Sequence, residues 1–228
     1  MTPRVFEVVV DDVRLVCQLS GAPEAPPMAL LHALGERGAT WDAVRGEFDD
    51  FFRVVTIDLR GHGDSDRPGT YSFELMRDDV LGVLDQLGMR RITLVGHSMG
   101  GTVAYMIAEE HPSRIERLVL EDTPPPFPRE RSIPERPDGP LPFDWAVVPA
   151  IVGQVNDPDP RWWDRLSEIT APTLLIAGGP SSHIPQDKLR DTATQVPQCT
   201  MLTISVGHHV HATRPAEFAA AVLQFLGH

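Results

Sequence analysis

Lysine is nearly absent from this chain: Lys188 is the only one, so almost all of its 20 basic residues are arginine, a skew that carries no functional information. Positive charge is scarce altogether, with 20 Lys and Arg against 32 Asp and Glu and a formal net charge of -12. Nucleic-acid backbones and anionic lipid headgroups are held by clustered Lys and Arg, so neither nucleic acid nor a membrane surface is an expected partner. Cys17 and Cys199 are the only cysteines, too few for a disulfide framework and without metal-ligand spacing, which fits a reducing cytoplasm. No apolar run approaches the roughly 20 residues that span a bilayer. The opening "MTPRVFEVVVDD" lacks the basic start, apolar centre and small-residue cleavage site of a secretory signal. There is no Gly-x-Gly-x-x-Gly after a strand, no phosphate-binding loop and no metal-spaced His or Cys cluster, so neither a cofactor nor a metal is expected. His208, His209 and His211 lie close together in sequence but without a partner carboxylate on their loop.

What the chain does have is 228 residues at 42% hydrophobic content, enough to bury the core of one domain, expected over residues 1–228. Val5–Val10 and Val13–Leu19 flank Asp11 and Asp12 as an antiparallel hairpin. Short continuous apolar runs then recur at Met28–His32, Arg53–Leu59, Ile92–Gly96, Arg117–Asp122, Thr173–Gly179 and Thr200–Ser205, the pattern of strands buried on both faces. Helical spacing separates them: Met76, Val80, Val83, Leu84 and Leu87 form one stripe with Gly88 as its stop, and Phe218, Ala221, Val222, Phe225 and Leu226 another, capped by Thr213 with Pro215 in the first turn. Alternating strands and helices predict an α/β fold with a mainly parallel sheet and helices on both faces. The proline-rich stretch from Thr123 to Pro160 interrupts the rhythm and reads as a mostly irregular lid or pocket wall.

The chemistry centres on "LVGHSMGG", Leu94 to Gly101. Gly96-His97-Ser98-Met99-Gly100 matches Gly-x-Ser-x-Gly, with a buried strand before it and a helix pattern after it, the context in which a serine is exposed on a strained turn as a nucleophile. A serine needs a base, and among nine histidines His208 sits just past the last strand and before the last helix, with His209 and His211 as competitors. His62 and Asp58 read as loop organisers, and His97 and His183 as pocket-lining or solvated residues.

Together these residues resemble the alpha/beta-hydrolase-fold serine hydrolases over nearly the whole chain, outside Thr123–Pro160. "LLHALGERGATWDAV" is similar to the family's His-Gly loop, "DLRGHGDSD" to the loop after its fourth strand, and "GHHVHATRPAEF" to its Gly-His loop before a Pro-started helix. The resemblance implies an eight-stranded alpha/beta-hydrolase sheet, Ser98 as nucleophile, His208 as general base, and the backbone amides of Met99 and Leu34 as oxyanion hole. Two departures stand out. Ala33 replaces the glycine of His-Gly, and Ser181 occupies the slot where the family most often places its acid. Some members carry that acid at the end of the preceding strand, here Asp122, the favoured residue; Glu121, Asp187 and the absence of any acid are the alternatives. The implied activity is cofactor-independent hydrolysis of a small acyl compound, an ester, thioester or lactone, through an acyl-enzyme. Carbon-carbon bond hydrolysis or a haloperoxidase-like activity would use the same residues, and a non-catalytic binding scaffold is the rival of another class. Oligomeric state is not legible.

Overall fold

The structure, a computed structural model, describes residues 3–124 and 126–228; Met1, Thr2 and Pro125, the last within the proline-rich stretch, lie outside the described residues. The chain opens on an antiparallel hairpin, β1 (Arg4–Val10) and β2 (Val13–Ser20), in register from Arg4 opposite Leu19 to Val10 opposite Val13. Asp11 and Asp12 turn it with φ of 44° and 65°, the left-handed conformation that short acidic side chains tolerate. There follow β3 (Pro27–Leu31), α1 (Asp42–Asp49), β4 (Arg53–Ile57), α2 (Phe73–Gln86), β5 (Ile92–His97), α3 (Met99–Glu110), β6 (Ile115–Glu121) and α4 (Val147–Asn156). The chain closes with α5 (Pro160–Arg165), β7 (Thr173–Ala177), α6 (Gln186–Gln195), β8 (Cys199–Thr203), α7 (Val210–Thr213) and α8 (Pro215–Leu226).

The strands form one eight-stranded sheet in the order β1-β2-β4-β3-β5-β6-β7-β8. Only the pairings of β2 with β1 and with β4 are antiparallel; the rest are parallel. Successive residues of a strand point to opposite faces, and both faces are apolar. Ala29, Leu31, Leu94, Leu118, Leu120 and Leu175 pack against α2, α3 and α4 on one side, while Met28, Leu30, Val95, Val119, Leu174 and Ile176 pack against α1 and α8 on the other. Each fully buried aliphatic side chain contributes about 1.5–3 kcal/mol, so this double layer is what makes the strand ends a rigid platform. Helix α3, buried from Met99 to Glu109, crosses the centre behind β5.

Local signals behave as the residues dictate. Ser72 caps α2 by accepting the Leu75 amide at 3.2 Å, and Gly88 at φ 68° ends it. Pro215 starts α8, but the cap is Arg214 rather than Thr213, which belongs to the short α7. The run Thr200–Ser205 contains an edge strand, and β8 is accordingly only partly buried instead of covered on both faces. The proline-rich stretch is irregular only up to Ala146. Helix α4 follows, because Pro149 falls in its first turn, where a missing N–H costs no intrahelical bond, and Val148, Ile151, Val152 and Val155 supply a buried stripe. Among the described residues no helix is long and apolar enough to cross a membrane.

Candidate active site

Ser98 links the end of β5 to the start of α3 with φ 51° and ψ -113°, a conformation costing a non-glycine residue roughly 1–3 kcal/mol. Small neighbours make it sterically feasible. A Cβ on Gly96 would strike the Gly100 carbonyl, one on Gly100 the Leu31 carbonyl, and one on Gly101 the Thr123 hydroxyl. The backbone is held by Ser98 N–H donating to the Glu121 carbonyl (3.0 Å) and Gly100 N–H to the His32 carbonyl (3.1 Å). Helix α3 thus begins directly under the hydroxyl.

At the end of β6 the alternation of strand side chains separates Glu121 from Asp122. Asp122, itself at φ 40°, accepts a hydrogen bond from His208 Nδ1 at 2.7 Å. Its other donors are the Gly178 amide (2.8 Å), Gln186 Nε2 (3.3 Å) and the Ser182 hydroxyl. Burial pushes this carboxyl up, but the bonds from His208, Ser182 and Gly178 outweigh it and hold it below the ordinary aspartate value. Burial also dominates at His208 and lowers it below 6.5, against the pull of Asp122. The couple is therefore neutral imidazole on ionised carboxylate at neutral pH, with the Nδ1–H pointing at Asp122 and Nε2 left to accept a proton. Asp187 is exposed in the first turn of α6 and takes no part.

Glu121 faces the other way. Its carboxylate accepts both the His211 amide (2.9 Å) and the His211 ring Nδ1 (2.7 Å), and both residues are fully buried. His97 is equally buried, not solvated. Its Nε2 donates to the His208 carbonyl (2.9 Å) and its Nδ1 faces Glu36 at 3.6 Å. Burial alone would lower His97, but the charges of Glu121 and Glu36 outweigh it and raise it above 6.5. His209 completes this layer with Nδ1 3.1 Å from Glu36. Glu36, His97 and His211 bring possible metal-ligand atoms within 4.8 Å of one another. The cluster fits a proton better than a metal ion, since Glu121 and Thr40 (3.1 Å) already engage both nitrogens of His211. Sequence reading missed this network because its members come from four distant places in the chain.

Ser98, Leu34 and His208 line one cavity of about 190 Å³ together with Ala33, Arg131, His183 and His209. No hydrogen bond joins the Ser98 hydroxyl to His208 among the described residues; catalytic contacts are often long before substrate binds. A smaller recess of about 20 Å³ on the other side of Ser98 is walled by Leu34, Phe73, Met99, Ile151, Val152 and Val155, again with Arg131. The wall is thus mainly apolar, and Ile151, Val152 and Val155 of α4 supply its aliphatic part. Phe127, Phe143 and Trp145 of the proline-rich stretch, with Trp162 and Trp163 just beyond it, line neither cavity; Phe143 stacks on His62 and Phe127 lies tilted against Trp163 instead. Larger depressions of about 380 and 440 Å³ lie at the opposite, N-terminal edge of the strands, away from Ser98 and from the edge where open α/β sheets bind ligands.

The loop carrying Leu34 keeps its shape without the usual glycine. His32 Nε2 accepts the Leu59 amide (3.0 Å) and its Nδ1–H donates to the Ala33 carbonyl (2.8 Å), while His62 Nε2 accepts the Gly35 amide (3.1 Å). Burial, the largest influence on each, lowers His32 to about 4 and His62 to about 3, so both act as neutral struts. Asp58 ties the same region by accepting the Gly38 (2.6 Å) and Asp64 (2.9 Å) amides. The amides of Leu34 and Met99 pair with no protein acceptor among the described residues. A serine at a helix start, a neutral imidazole on a carboxylate and unpaired amides beside them are the components of acyl transfer.

The family model of the alpha/beta hydrolase fold matches residues 26–150. The sn-1-specific diacylglycerol lipase ABHD11 of Mus musculus is 27% identical over 219 residues, covering 76% of this chain and 71% of the relative. A putative esterase/lipase of Haemophilus influenzae is 28% identical over 247 residues, covering 92% and 86%. Among solved structures, a hydrolase from Pseudomonas aeruginosa PA01 superposes with a TM-score of 0.87 at 28% identity, over 99% of both chains.

Proposed function

Because the chain belongs to the alpha/beta hydrolase family, we propose that it is a serine hydrolase of small carboxylic esters, thioesters or lactones, acting through an acyl-enzyme. His208 Nε2 takes the proton of Ser98 as the hydroxyl oxygen bonds to the substrate carbonyl carbon. Asp122 keeps Nδ1 protonated and supports the imidazolium that forms. The Leu34 and Met99 amides receive the oxyanion, a contribution of about 2.7–4 kcal/mol for each such donor. Collapse of the tetrahedral adduct expels the alcohol or thiol with the proton returned from His208, and water then repeats the sequence on the acyl-enzyme.

The observation that carries this proposal is the Asp122–His208 bond at 2.7 Å beside a cavity that Ser98 shares. It supports Asp122 as the acid, although Ser181 fills the slot where the family resemblance would place one. Further support is the esterase and lipase character of the relatives' names. The deciding test is intact mass with peptide mapping after exposure to a fluorophosphonate. One adduct on Ser98, absent from Ser98→Ala, is expected; folded protein that stays unlabelled would leave a binding scaffold as the better description.

A further inference from the structure

We propose that the substrate carries a carboxylate beside its scissile acyl group, and that Arg131 is the residue that selects it. This inference rests on the hydrolase function above and narrows it to a substrate class.

Two recesses flank Ser98, and among the described residues Arg131 is the one permanently charged residue lining either. A substrate whose carbonyl carbon meets the Ser98 hydroxyl therefore has this guanidinium to one side whichever recess its chain enters. The apolar recess, at about 20 Å³, admits only a short apolar group, which leaves the larger cavity for the rest of the substrate. That cavity is polar, with Arg131, His183, His208 and His209 around it.

The backbone of Arg131 is clamped, although residues 131 to 140 are exposed. Its N–H donates to Asn156 Oδ1 and its carbonyl accepts from Asn156 Nδ2, both at 2.8 Å, which ties Arg131 to the end of α4. Two bonds to one planar amide set the position from which the long side chain departs. The side chain itself has no acidic partner among the described residues, in a chain with 32 acidic and 20 basic residues. Among the described residues, none of the arginines that pair with carboxylates, such as Arg60, Arg77, Arg114 and Arg165, lines either recess. The charge also reaches the cavity. His183 is lowered to about 4, by burial first, then by His208 and by Arg131. The nearby carboxylates are already engaged, Asp122 by His208 and Glu36 by His97 and His209. A planar, forked guanidinium without a partner at the rim of a nucleophile's pocket matches a carboxylate in charge and geometry.

The test compares two esters of equal chain length, the 4-nitrophenyl monoester of adipic acid and 4-nitrophenyl hexanoate, each corrected for spontaneous hydrolysis. The wild-type protein is expected to favour the anionic ester by about 10-fold or more in kcat/KM, a preference that shrinks as salt rises. Arg131→Gln should reduce the ratio of the two kcat/KM values by roughly 10–100-fold, the range of a charged hydrogen bond lost. Arg131→Lys should restore part of the ratio. Arg136→Gln, in the same exposed segment but lining neither cavity, should leave it unchanged. Hexanoate turnover with no preference for the anion, or a ratio unaltered in Arg131→Gln, overturns the assignment while leaving the hydrolase function standing. Turnover of neither ester, with no fluorophosphonate adduct on Ser98, removes both.

Discussion

Replacing Asp122 by Asn probes the carboxylate proposed to support His208. Asn is the right probe because it tolerates a positive φ, here 40°, and keeps the side-chain shape. The Asp122 carboxylate receives Gly178 N–H and Gln186 Nε2–H on Oδ1, and the Ser182 hydroxyl and His208 Nδ1–H on Oδ2. In Asp122→Asn the amide oxygen stays with Gly178 and Gln186, which turns the NH₂ group toward Ser182 and His208. That NH₂ donates to Nδ1, so the ring proton moves to Nε2 and the base can no longer accept from Ser98. A forced tautomer of this kind costs about 10⁴-fold in kcat, or roughly 5.5 kcal/mol of transition-state stabilisation. The assay is kcat on 4-nitrophenyl acetate together with the rate of fluorophosphonate labelling, with a melting curve to show that the variant is folded. Activity within 10-fold of wild type would refute the reasoning, and a larger loss in Glu121→Gln than in Asp122→Asn would reassign the acid.

Two further outcomes follow from the same geometry. Burial holds His208 below 6.5 and only its neutral form accepts a proton, so kcat/KM should be flat through neutral pH and fall on acidification with a midpoint below that value; a midpoint above 7 contradicts the neutral couple. Glu121 is raised by burial but lowered more by His97 and His211, so its stabilisation is complete above pH 4.5 and lost as pH falls through its folded value. Glu121→Gln, which breaks a fully buried pair, should cost about 3 kcal/mol, a drop of roughly 6–12 °C in Tm at neutral pH, read by calorimetry; an unchanged Tm would show that the pair is dispensable.

The parts legible in the sequence are those written by local physics. Uninterrupted runs such as Met28–Leu31 and Ile92–Val95 mark strands covered on both faces, and glycines around Ser98 mark a close approach, because a single Cβ there meets backbone. Alternation says only that Glu121 and Asp122 oppose each other; Asp122 is favoured through the family resemblance, because which one meets His208 depends on the side from which the last loop returns. Helix α4 was hidden because Pro149 reads as a breaker until the first turn is known to begin at Val147. Arg131 carried no signal at all, since its importance comes from Asn156, which stands 25 residues away in the chain.

Each side chain of the proposed triad is flanked by a buried titratable one. Ser98 follows His97, Asp122 follows Glu121, and His208 lies three residues before His211 on the loop that ends in α7. At strand ends, alternation sends neighbours to opposite sides, so the site and the ion network occupy two levels of the same loops. The network then restrains the site directly: His97 donates to the carbonyl of His208, and Glu121 anchors the loop through the His211 amide. Asp122 gains its reach in the same way, since the Gly178 amide can approach its carboxylate only because a side chain at 178 would run into the Gly207 carbonyl just before His208. Ser182, one residue beyond Ser181, donates to the Asp122 carboxylate, so this loop helps to hold it.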